Sequence, residues 1–244
     1  MRKIILPLLL LCLLAGCAPT PSPVPVPEPT ISIIPNRSTL TAQDGTVLLH
    51  RTSPQIMVTM PTQAATNAVS RSLAETERQW TGDLSDWEGI ISDEYQPGEA
   101  WEPWFCDIEA QSTRLDEQVL SVYFTCHKYA GGSHPTLAVD GATYHCQTGQ
   151  RLTLEDLMAE EHAPWELASL VNAALAPSRD RLYDDYEALV SKAFTEGSFP
   201  CWYLSDDGLC FAFAPYAIGS YASGIITAEI PYTKLGELLR PEYL

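Results

Sequence analysis

Five residues within one stretch are of the types that hold a metal or move a proton: Cys126, His127, His134, His145 and Cys146. Thiolate and neutral imidazole are zinc's usual ligands, and four of them at tetrahedral geometry close a structural site. The spacing works against such a site. Cys126-His127 and His145-Cys146 are adjacent residues in strand-like runs, and adjacent residues on a strand point to opposite faces, so the five are not expected to converge. Neither a metal nor another cofactor is expected. His134 is the most site-like of the set because it follows Gly131-Gly132-Ser133, and a glycine turn can hold an imidazole at a cleft edge as base or ligand. The competing role, in which a ring nitrogen bonds to backbone and ties the turn down, is the one expected.

The remaining candidates are weaker. Asp206-Asp207 before Gly208 could bind calcium, but acids before a glycine also make an ordinary turn. Ser220 and Ser223 lie near Gly219 and Gly224 without spelling the Gly-x-Ser-x-Gly elbow that exposes a serine nucleophile, so no catalytic residue is assigned. Phe211, Phe213, Tyr216 and Tyr221 either line a surface groove or close a sheet.

The elements that must position these residues are legible from periodicity. In Val119–Cys126 two interleaved sets alternate with a period of two, which reads as a central strand ending at Gly131-Gly132. Thr136 to His145 resumes a strand pattern, with a turn or bulge expected at Asp140-Gly141. Thr148-Gly149 makes a turn, and Thr153 followed by Asp156 partly matches a capped helix start that normally uses Glu or Gln at the third position. Upstream, Thr39 to Met60 reads as strands with a turn at Asp44-Gly45 and a break at Pro54. From Thr62 to Ile91, apolar residues recur every three, four or seven positions, the stripe of a long helix that Gly82 interrupts. Two more helical faces follow Pro164 and Tyr183, then a hairpin around Ser205–Gly208, a strand over 224–230 and a terminal helix over 232–239. Strands, a helical insertion and strands again predict an α+β domain, its largely antiparallel sheet packed on the long N-terminal helix.

At the N-terminus, Arg2 and Lys3 precede an apolar run too short to span a bilayer, which reads as a secretion signal over residues 1–16. Leu14-Ala15-Gly16-Cys17 looks like a bacterial lipobox, making Cys17 the lipidated first residue of the mature chain. Prolines then recur at nearly every second position to Pro29, an extended tether advancing about 3.1 Å per residue, so residues 17–38 are assigned to the anchor and tether and 39–244 to one domain. The expected location is the outer face of the bacterial cytoplasmic membrane, with that membrane as a partner through the lipid. The formal charge is -17, and removal of Arg2 and Lys3 with the signal makes it two units more negative. Such a surface repels nucleic acid, which is excluded as a partner, and attracts cationic proteins, while also keeping the chain soluble.

Five cysteines remain beyond Cys17. Asp116 is equidistant from Cys106 and Cys126, so a hairpin turning there would set the two opposite each other at a spacing that suits a disulfide. A bridge closing about 20 residues would contribute about 3 kcal/mol; free buried thiols are the alternative.

Three blocks taken together resemble a known family. They are Gly131-Gly132-Ser133-His134; the run Thr148 to Leu157; and Phe213 to Gly224, with Ile230-Pro231-Tyr232 and Leu235 behind. The chain is similar over residues 39–240 to the bacterial extracellular domain in the outer half of the lysozyme-sensing RsiV anti-sigma factors and in the N-terminal part of PdaC-type peptidoglycan deacetylases. Members typically carry alanine where this chain has Ser133 and an acid where it has His145. Neither a sigma-binding segment nor a deacetylase domain is present in this sequence. The resemblance implies an α+β domain and a lysozyme-binding role in one branch. The expectation is therefore a non-enzymatic, lipid-anchored binding domain for lysozyme or a cell-wall fragment, with contacts from Gly131, Gly132, Ser133, His134, Tyr216 and Tyr221. A wall-directed hydrolase or deacetylase-like enzyme and a purely structural envelope lipoprotein are the alternatives.

Overall fold

The computed structural model describes residues 27–159 and 164–244. The signal, Cys17 and most of the proline tether lie outside them. Thr30–Thr41 forms β1 and Val47–Thr59 forms β2, an antiparallel pair joined by the Asp44-Gly45 turn. The strand thus begins at Thr30, and the fold takes up residues 30–38 that the proline pattern had assigned to the tether. Pro54 does not break β2, because it faces Pro35. Opposed antiparallel residues exchange either two hydrogen bonds or none, so two prolines fit together at a non-bonded position without stranding a donor.

Gln63–Thr81 (α1) and Leu84–Glu94 (α2) are the predicted long helix, divided at Gly82-Asp83. The Thr62 hydroxyl caps α1 by accepting from the Ala65 amide at 3.1 Å. Val69, Leu73, Trp87 and Ile91 from the apolar stripe are buried against the first sheet. That sheet continues with Trp104–Leu115 (β3), Val119–Tyr129 (β4) and Thr136–His145 (β5), in the spatial order β1-β2-β3-β4-β5. All its pairings are antiparallel except β2 with β3, which run parallel for only four residue pairs.

Two details of this sheet differ from the sequence expectation. Strand β5 pairs with β4 without interruption through Asp140-Gly141. Gly141 is needed for a different reason: a Cβ there would lie 1.8 Å from the Trp202 carbonyl oxygen of the crossing second sheet. In the β3–β4 hairpin, Cys106 pairs with Lys128 and Cys126 with Ile108, so the cysteines are diagonal neighbours and not opposite each other. The Asp116 carboxylate accepts from the Gln118 and Val119 amides, at 2.7 and 2.8 Å, which moves the turn past Asp116, and a bulge between Ser112 and Arg114 takes back only part of the shift, leaving Cys106 opposite Lys128. Both cysteines are free thiols.

After Leu154–Leu157 (α3) come Pro164–Leu175 (α4), a 3-10 segment over Ala176–Arg181 and Tyr186–Thr195 (α5). Thr153 and Asp156 form a complete reciprocal capping box, so aspartate reaches back as glutamate would. The second sheet is antiparallel in the order β6-β7-β8, from Cys201–Leu204, Gly208–Phe213 and Ile226–Pro231, and is followed by Tyr232–Leu235 (α6). It packs with α4 and α5 around a core containing Val171, Val190, Phe194, Phe211 and Ile230. Phe211 and Phe213 are fully enclosed here, so they close a core and line no groove. The protein is thus an α+β fold with two cores. The two faces of β4 serve both, Leu120 reaching the first core and Val119 the second.

Candidate functional site

Where β4 ends, Gly131 and Gly132 take φ values of 78° and 105°, a left-handed pair that turns the chain into Ser133-His134-Pro135. The turn is held from below: the Tyr129 hydroxyl donates to Glu102 Oε2 at 2.7 Å and lies 3.2 Å from the Gly132 carbonyl oxygen. His134 Nδ1 lies 2.8 Å from the Pro135 carbonyl oxygen, the backbone-tying role expected of it. A carbonyl only accepts, so Nδ1 carries the proton and Nε2 presents a lone pair. Tyr216 reaches that nitrogen with its hydroxyl at 3.4 Å.

Tyr216 comes from the segment between β7 and β8. Its ring is 58% exposed, and it is the one non-glycine residue among those described with a positive φ, at 72°. The Ala214–Gly219 turn imposes this, with the Tyr216 amide donating to the Gly219 carbonyl at 2.9 Å. Gly219 in turn presses on the 3-10 segment, where a Cβ would lie 2.5 Å from the Arg181 carbonyl oxygen. Arg181 holds the same segment through its guanidinium, which donates to the Ser223 and Ile225 carbonyls, while the Ser223 hydroxyl donates back to the Arg181 carbonyl at 2.7 Å.

Three rings meet as a result. His134 stacks on Tyr221 with centroids 4.1 Å apart, and Tyr216 lies 6.0 Å from Tyr221 and 6.4 Å from His134. Of the six residues named from sequence, all lie in or beside this patch. Beside it, a groove of about 470 Å³ runs along the outer face of the first sheet, lined by Asp107, Glu109, His127, Leu137, Ile225 and neighbouring residues. Sequence reasoning missed both the groove and Arg181, whose contacts span more than forty positions along the chain and leave no local signal.

The other candidates are dispersed. His127 faces Phe105 on the sheet's outer side, Cys126 is buried on its inner side, and the Cys146 thiol donates to the Asp116 carbonyl. His145 Nδ1 accepts from the Gln147 amide. Among the described residues, no three His, Cys, Asp or Glu side chains are grouped to hold a metal ion. The amides of Asp207 and Gly208 both donate to the Ser205 hydroxyl, so that loop is closed by turn bonding. The Ser220 and Ser223 hydroxyls lie 3.3 Å apart, and that of Ser223 donates to the Arg181 carbonyl, so the pair bonds to itself and to backbone through Ser223.

Residues 155–233 match the family model described as "Protein of unknown function (DUF3298)". Among solved structures, the chain is similar to a DUF3298 member from Bacteroides fragilis, with 16% identity and a TM-score of 0.60 over 88% of this chain and 94% of that one. A DUF3298 protein from Pseudomonas aeruginosa is also similar, with 16% identity and a TM-score of 0.54 over 91% and 97% of the two chains. These likenesses establish the shared fold. No curated protein matches the chain.

Proposed function

We propose, starting from a fold shared with proteins of unknown function, that this chain is a lipid-anchored extracellular binding domain whose contact surface is the His134, Tyr216 and Tyr221 patch. The observation that carries the proposal is the ring cluster itself. Two segments 82 positions apart converge to present aromatic rings outward, one of them on a left-handed backbone. Strained backbone and exposed aromatics are costly to the fold, and both concentrate where a surface makes contacts. Tyrosine supplies a large, rigid contact area with few rotatable bonds, which suits it to protein interfaces.

The partner proposed is a cationic lysozyme, on the resemblance of the three sequence blocks to the RsiV-like domain and on the acidic charge of the chain. A cell-wall glycan fragment is the second partner to test. Binding is favoured over catalysis because both nitrogens of His134 are engaged and the Ser223 hydroxyl is committed to the Arg181 carbonyl.

The test is binding of the full chain to lysozyme and to peptidoglycan fragments over a range of salt. Screening shortens the reach of charge from about 10 Å at 0.1 M to about 3 Å at 1 M. Lysozyme binding that slows but persists at the higher salt, and that Tyr216→Ala weakens by about 2 kcal/mol or roughly thirtyfold, supports the proposal. Binding abolished by moderate salt is charge attraction alone, and an unchanged affinity in Tyr216→Ala moves the contact surface elsewhere. Wall fragments binding in place of lysozyme select the second partner. Turnover of those fragments, lost in His134→Ala with the fold intact, would replace binding by catalysis.

A further inference from the structure

Strands β2 and β3 part after Thr52 and Asp107, the last of their four parallel pairs, although β2 runs on to Thr59 and β3 to Leu115. Pro54 supplies the reason. It faces Pro35 at a non-bonded position of the β1–β2 ladder, so its backbone points the other way, toward β3, where it has no N–H to give. With Thr52 opposite Asp107, the parallel ladder uses the backbone of Cys106 and Ile108, and alternation then turns the backbone groups of Ala110 to the same side. The Ile108 carbonyl and both backbone groups of Ala110 have no strand beside them, and no other backbone bond among the described residues takes them up.

A groove of about 290 Å³ follows this edge, with Ile33, Pro35 and Pro54 on one side and Ile108, Glu109 and Ala110 on the other. It shares Arg37, Thr52 and Glu109 with the groove beside the ring patch, so the two are continuous. Asp107 and Glu109 stand two residues apart on the outer face of β3, opposite His127 and Thr125. Neither carboxylate has an ion pair or a hydrogen bond among the described residues, and Arg37 is paired with neither.

We propose that the edge of β3 over residues 108–112 takes up an extended basic peptide as an added strand, its main chain bonding to the backbone of Ile108 and Ala110 and its cationic side chains meeting Asp107 and Glu109. A free strand edge is a template for another extended backbone, and main-chain bonds supply affinity while alternate side chains supply selectivity. The period of two fits the lining: basic residues two apart lie over the two carboxylates, and the residues between them lie against Ile33, Pro35 and Pro54. An acidic peptide is repelled by both carboxylates and by the formal charge of -17. The ring patch takes no part, so this site stands or falls separately from the lysozyme reading.

The test measures binding of an end-blocked pentapeptide of alternating valine and lysine to the full chain, with amide hydrogen exchange read at Ala110. The expected result is binding that slows exchange of the Ala110 amide, which is fast in the free chain. Asp107→Asn combined with Glu109→Gln should weaken binding roughly fivefold, the scale of two exposed ion pairs. Glutamate in place of lysine should abolish it, as should methylation of every peptide amide. Ala110→Pro removes the edge donor, leaves the bonds from β3 to β4 in place, and should also abolish it. No binding at millimolar peptide, equal binding of the methylated peptide, unchanged exchange at Ala110, or binding lost in Tyr216→Ala would each overturn the proposal. Hydrogen exchange and the methylated peptide both use the wild-type chain, so misfolding of Ala110→Pro does not shield it.

Discussion

Three single residues show most directly how the fold is fixed. Gly141 sits under the backbone of β6, and any side chain there must displace a carbonyl oxygen 1.8 Å away. Gly141→Ala is expected to cost about 3 kcal/mol, the upper part of the usual overpacking range, read as a lower urea midpoint. Ser121 is buried between the sheets, where its hydroxyl accepts from the Leu204 amide at 3.0 Å and lies 2.9 Å from the Thr143 hydroxyl. Ser121→Ala strands a buried amide and should cost about 1–3 kcal/mol in the same measurement. Tyr216 presents the opposite case, a residue that the fold would gain by losing. Asparagine tolerates its left-handed backbone, so Tyr216→Asn should leave stability unchanged or raise it by up to about 1 kcal/mol, whereas β-branched Tyr216→Val should lower it. If Tyr216→Asn also loses lysozyme binding, the strain serves the contact.

At the scale of elements, the β3–β4 hairpin depends on a charged turn. Burial pushes the Asp116 carboxyl up, but the Val119 and Gln118 amides and the Arg114 guanidinium outweigh it and hold the group below the ordinary carboxylate value. A depressed folded pKa stabilises the fold above the unfolded value of about 3.9 and stops doing so as pH falls through the folded one. The hairpin should therefore lose stability below about pH 4, and Asp116→Asn should flatten that part of the profile in acid-unfolding curves. Arg114 extends the connection: it donates to Asp116, to the Tyr232 hydroxyl and to the Tyr243 carbonyl, each at 2.7 Å. Arg114→Ala leaves these acceptors unpaired and should cost about 2–3 kcal/mol.

Across the whole molecule, β4 joins two cores that would otherwise be separate layers, and the ring patch lies where the ends of both sheets meet. No helix of the described residues is long and apolar enough to cross a membrane. Cys17 lies outside the described residues, and its proposed lipid is tested by location. Secretion of Cys17→Ala into the medium, where the parent chain stays with membranes, would be the expected outcome of that anchor.

The strand and helix faces follow from the amino-acid pattern, because periods of 2 and 3.6 report which side of each element is buried. The stripe from Val69 to Ile91 and the alternation in Val119–Cys126 were legible for that reason. Local turn chemistry also identified the Gly131-Gly132 loop and the Ser205–Gly208 hairpin. The register that makes Cys106 and Cys126 diagonal belongs to the folded chain, since it depends on a bulge and on where one carboxylate closes a turn. The convergence of His134 with Tyr216 and Tyr221 is also tertiary. It rests on Arg181 and Gly219 packing against each other, and contacts between distant segments leave no period in the chain.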